Sequence, residues 1–90
     1  MPDLILCSPA EVISMGFGDV SKAIELVRCD PQAWDPAFLA DPILWASSDV
    51  EVAAYNRYAL AYSADPSVYP MFIRKTTATL AVYYTWKKYP

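Results

Sequence analysis

Ninety residues, 56% of them hydrophobic and 14% aromatic, fit one globular domain spanning residues 1–90 and exclude a disordered linker. A chain this short buries only roughly 60% of its unfolded surface, so part of its Trp and Tyr content must stay exposed or be covered by a partner. A net charge of −3 argues against a whole-body nucleic-acid face, and two cysteines are too few for a disulfide framework.

Charge is divided unevenly along the chain. Residues 1–65 hold ten acids against Lys22, Arg28 and Arg57, a balance of −7, whereas residues 66–90 hold Arg74, Lys75, Lys87 and Lys88 and no acid. The opening MPDLILCSP carries an acid where a secretory leader would carry bases, so no signal peptide is expected. Cys7 and Cys29 lack metal-ligand spacing and are expected as reduced thiols.

Ser8-Pro9-Ala10-Glu11 has the composition of an N-cap, a Pro at N1 and a capping-box Glu at N3. It predicts a short first helix over Glu11 to Met15, with Gly16 as the residue that ends it. Asp19 caps a second helix in which Val20, Ala23, Ile24 and Val27 share a face, and Asp30-Pro31 stops it. Residues 30–41 read as a loop with one short turn, anchored by Trp34, Phe38 and Leu39 and punctuated by three Asp-Pro pairs.

The third pair, Asp41-Pro42, starts a long helix from about Pro42 to Tyr62. Its expected inner stripe is Trp45, Val52, Tyr55, Ala59 and Tyr62, widened by Ile43, Val50, Ala54 and Ala61, with Asp49, Asn56 and Ser63 wet. After the Asp65-Pro66 turn, residues 76–86 (TTATLAVYYTW) are rich in β-branched and aromatic types that also suit a strand. Helix from Pro70 to Lys88 is the preferred reading, since Pro70 suits a helix start, Lys87 and Lys88 suit a helix end, and a lone strand would have no partner. This helix is apolar nearly all round, which predicts contact on more than one side. The class is all-α: a small bundle of two short N-terminal and two long helices. The uncharged run is eleven residues, against about twenty for a membrane span, so no membrane partner is expected.

Histidine is absent, which removes the commonest general base and metal ligand, and Gly16 and Gly18 are the only glycines, which leaves no phosphate loop. Scattered acids beside Pro and Gly read as caps, not as paired catalytic carboxylates. No enzyme, cofactor, catalytic residue or metal site is therefore expected. The C-terminal aromatics Tyr83, Tyr84, Trp86 and Tyr89 beside Lys87 and Lys88 read as core packing, as a protein interface, or as a platform for stacked single-stranded bases. Arg74 and Lys75 sit where the helix dipole disfavours cations, and an external acid would relieve that cost. The candidate interface is thus Arg74, Lys75, Tyr83, Tyr84, Trp86, Lys87, Lys88 and Tyr89, with the four cations pairing with acids of a neighbour.

The stretch Ser8-Pro9-Ala10-Glu11-Val12, then Gly16-Phe17-Gly18-Asp19 opening a helix, resembles the start of small phage head–tail connector proteins (neck adaptors). Tyr55-Asn56-Arg57-Tyr58 stands where that family places an aromatic-Arg-Tyr element, and Asp65-Pro66 to Tyr84 fits its Pro-bearing turn and Ala/Tyr-rich last helix. The 30–41 loop is not part of the pattern. The resemblance implies a structural virion protein of the phage neck, assembled in the host cytoplasm. It implies a homo-oligomeric ring, commonly of twelve subunits, between the portal protein and a neck or tail component, with DNA passing through unbound. The acidic body suits such a channel wall, because it repels phosphate. The competing expectation is a small helical inhibitor or regulator that binds one host protein through the same C-terminal surface.

Overall fold

The computed structural model describes residues 4–54 and 65–89. Among them every regular element is helical and there is no strand. Helix α1 (Pro9–Glu11) runs directly into a π-helical segment (Val12–Phe17). Then come α2 (Val20–Val27), two 3-10 turns (Pro31–Ala33 and Pro36–Leu39), α3 (Ala40–Ala54), a third 3-10 turn (Pro66–Val68) and α4 (Met71–Lys88). The later part of the expected long helix, with Tyr55, Ala59, Ala61 and Tyr62, lies outside the described residues, as does Tyr55-Asn56-Arg57-Tyr58.

The caps form as their residue types dictate. The Ser8 hydroxyl accepts from the Glu11 N–H (3.2 Å), and the Ser8 N–H donates to Glu11 Oε1 (3.0 Å), a reciprocal capping box. Asp19, Asp30, Asp35 and Asp65 each accept, through Oδ1, from the N–H two residues on. Those bonds favour the ionised carboxylate and hold Asp19 and Asp65 below their usual range. Asp41 departs from this pattern. α3 follows directly on the second 3-10 turn, so Asp41 falls inside the first helical turn and is no cap.

The first helix ends two residues later than expected. Gly18, at φ +85°, closes it, and the Gly18 N–H reaches back five residues to the Ile13 carbonyl (2.6 Å). A five-residue step returns to the same side in a π turn and not in an α turn, and both Val12 and Phe17 are buried. Gly16 serves a different end. A Cβ there would stand 2.5 Å from Val82 Cγ2 and 3.0 Å from the Ala78 carbonyl oxygen, so its bare backbone lets the π segment lie against α4. α2 ends at Val27, before Asp30-Pro31, because Arg28 takes the left-handed conformation (φ +64°) and donates its N–H to the Ile24 carbonyl.

The core lies between α4 and its two neighbours, α3 and the π segment. One cluster joins Cys7, Val12, Phe17, Ala23, Leu39, Ile43, Ala46, Ala78 and Ala81; a second joins Leu6, Val50, Tyr69 and Ile73. Leu39 is fully buried, and its burial stabilises by roughly 2–3 kcal/mol. The residues 30–41 behave as expected in anchoring through Leu39, Trp34 and Phe38, but they form two short turns, not one.

The stripe of α3 is rotated from the expected one. Pro42, Ile43, Ala46, Ser47, Val50 and Ala54 face inward, while Trp45 and Val52 face out. Ser47 is tolerated inside because its Oγ accepts the buried N–H of Leu6 (3.0 Å) and so ties the N-terminal segment to α3. α4 follows the helical reading. It buries Ile73, Thr77, Ala78, Ala81 and Thr85, and the two threonines donate back to the carbonyls of Ile73 (2.8 Å) and Ala81 (2.7 Å). Those back-bonds satisfy the hydroxyls, so the methyl groups pack as Val would.

Candidate functional site

The eight expected interface residues divide by helical register. Arg74 points inward. Its Nη1 donates to Glu11 Oε2 (2.7 Å) and its Nε to the Tyr69 carbonyl (3.0 Å), and both side chains of the ion pair are largely covered. The acid that relieves its unfavourable place near a helix start therefore comes from the same chain, and Arg74 leaves the interface set. Glu11 uses one oxygen for the cap of α1 and the other for Arg74, joining α1 to α4. Nearby Cys7 is buried, and loss of hydration, helped by the negative charge of Glu11, pushes its thiol up to about 12.

Lys88 also pairs at home, with Asp41 Oδ2 at 3.0 Å, and that carboxylate holds its ammonium above the usual range. Tyr84 is half-buried. Its hydroxyl donates to Asp49 Oδ2, which holds the phenol protonated above its usual range, and its ring meets Trp45 edge-on at 6.0 Å. Tyr89 lies against Phe38 at 6.5 Å, and its hydroxyl donates to the Phe38 carbonyl at 3.4 Å. Half of the expected set is thus engaged within the chain: Arg74, Lys88, Tyr84 and Tyr89.

The other half gathers on the outer face of α4. Tyr83 is 48% and Trp86 58% exposed, with ring centroids 6.4 Å apart, and Lys87 Nζ sits 5.2 Å from the centre of the Tyr83 ring. Lys75 lies exposed two turns earlier on the same side. Between them runs an open groove of about 450 Å³ lined by Lys75, Thr76, Thr79, Leu80 and Tyr83. A smaller hollow of about 280 Å³ lies beyond Trp86, between the end of α4 and Lys22, Glu25 and Arg28 of the α2 region.

Sequence reasoning missed the neighbouring surface on α3. Trp45 (42% exposed) and Val52 (74% exposed) stand outward with Asp49 and Glu51 beside them. The available signal was Ile43, Ser47, Val50 and Ala54, which fall at helical spacing and form an inner stripe once a hydrogen-bonded serine is admitted. The two outer surfaces meet through rings, Trp45 against Tyr84 and Tyr84 against Tyr83 at 5.5 Å.

Chemically the face can hold apolar and aromatic surface and anionic groups. Among the described residues no group of three His, Cys, Asp or Glu side chains is placed to hold a metal ion, and no helix is long and apolar enough to cross a membrane. The fold and the face together define a small all-α protein with an outward aromatic and basic helix surface. No family model, curated protein or solved structure matches the chain.

Proposed function

We propose that this protein works by assembly, as a head–tail connector of the phage neck. In this reading it forms a ring between the portal protein and the next neck or tail component, and DNA passes through without specific binding. The observation that carries the reading is the outer face of α4, where Tyr83 and Trp86 stand exposed with Lys75 and Lys87 beside them in a 90-residue chain. Aromatic side chains are favoured at the centres of protein interfaces, since they bury large area at small entropy cost, and the flanking lysines suit the polar rim around such a centre. The capped start, Ser8 to Asp19, supports the connector form of the reading: its capping box and Gly18 turn are built by the residues that carry the resemblance. An acidic surface elsewhere suits a wall past which DNA slides.

Native mass spectrometry of the full chain mixed with the portal protein encoded beside its gene tests the reading. A complex of defined ring stoichiometry is the expected result. Absence of any portal gene nearby, or a chain that never joins the portal ring, overturns it.

A further inference from the structure

α3 and α4 lie against each other, yet each carries charge of one sign. Ala40–Ala54 holds Asp41, Asp49 and Glu51 and no base; Met71–Lys88 holds Arg74, Lys75, Lys87 and Lys88 and no acid. Part of this charge is matched inside the chain, through Lys88 with Asp41 and Arg74 with Glu11, while the Asp49 carboxylate accepts a hydrogen bond from the neutral Tyr84 hydroxyl and keeps its charge. What remains outward is Lys75 and Lys87 on α4 and Glu51 on α3, with Asp49 at the edge.

Each outer surface also has the spacing of a helix-packing seam. On α4, Thr76, Thr79, Tyr83 and Trp86 follow steps of three, four and three residues; on α3, Trp45, Ser48 and Val52 follow steps of three and four. Helical geometry puts Lys75 and Lys87 on either flank of the first seam, and Asp49 and Glu51 on either flank of the second. These are the positions from which charges select partners in paired helices.

We propose that the outer face of α4 in one copy docks on the outer face of α3 in a second copy, with Lys75 and Lys87 set against Asp49 and Glu51. This rests on the assembly reading and deepens it by naming both surfaces of the subunit contact. Charge decides between the possible pairings. α4 on α4 brings lysine to lysine, α3 on α3 brings acid to acid, and only α4 on α3 opposes unlike charges. A contact between two different patches is head-to-tail, so it continues from copy to copy and closes into a ring or extends as a filament.

Charge exchange tests it. Lys87→Glu and Glu51→Lys alter exposed side chains, so both variants keep the circular dichroism of the parent. Sedimentation of the full chain at low salt is expected to show assemblies that shrink as salt rises. Each variant alone should associate about tenfold or more weakly, and an equimolar mixture of the two should regain assembly, because every junction then again pairs unlike charges. A parent chain that stays monomeric, or a mixture no better than its components, overturns the proposal. A monomer that still joins the portal ring would overturn this contact alone; assembly restored by the exchange in a chain that ignores the portal would overturn the connector reading alone.

Discussion

The two ends of α4 each carry a basic pair in which one cation bonds at home and the other stays outward, but the home bond is covered at the start and open at the end. At the start, Arg74 is drawn under the surface to Glu11 and the Tyr69 carbonyl, fastening α4 to the N-terminal segment. At the end, Lys88 reaches an exposed Asp41 and Lys87 lies over the outward ring of Tyr83. Adjacent cations therefore do different work according to register, since one step along a helix turns a side chain by about 100°. One end of α4 is fixed by covered polar bonds, and the other presents a surface.

The largest expected effect breaks the fixed end. Arg74→Ala leaves a mostly covered Glu11 carboxylate without its cation and should destabilise by about 2–3 kcal/mol, read by urea denaturation. A loss below about 0.5 kcal/mol would mean that this end is no more fixed than the other. Gly16→Ala probes the middle of α4. The added methyl gains helix propensity of about 1 kcal/mol but meets Val82 and the Ala78 carbonyl, for a net loss of about 1–2 kcal/mol.

Cys7 reports on the fixed end chemically. Its thiol, raised from 9.0 to about 12, stays protonated in the folded chain where it would ionise unfolded. The folded state thus holds more protons between those values, and stability is full below pH 9 and falls as pH rises toward 12. At pH 8 a thiol-alkylating reagent should modify Cys29 well ahead of Cys7, as peptide mass mapping would show. The smallest effect belongs to the open end. Lys88→Ala should cost no more than about 0.5 kcal/mol and vanish in high salt, because its ion pair is exposed.

Much of the local structure was legible in the residues. Ser8 with Glu11, and Asp19, Asp30, Asp35 and Asp65, act as caps because a short side-chain oxygen satisfies a free N–H within two or three residues, with no need of distant contacts. The helical state of Met71–Lys88 was legible from Pro70 and the terminal lysines, against the strand preference of its middle. Of the candidate site, Lys75, Tyr83, Trp86 and Lys87 were legible as an outward group; Arg74, Lys88, Tyr84 and Tyr89 were assigned to a neighbour but bond at home.

What the sequence by itself determined is which short side chains cap the helices and turns, that Met71–Lys88 is helical, and that the chain carries more aromatic surface than its size can hide. What only the tertiary structure decided is which way each helix faces. Trp45 and Val52 are more apolar than Ser47, yet Ser47 is inside because the buried Leu6 N–H needs an acceptor there. Thr77 and Thr85 go inside because their own helix satisfies their hydroxyls. Gly16 is a point of close approach because Val82 and Ala78 lie across from it. The serine and glycine outcomes depend on atoms brought from far along the chain, and polar satisfaction at a buried contact outweighs the hydropathy of a single side chain.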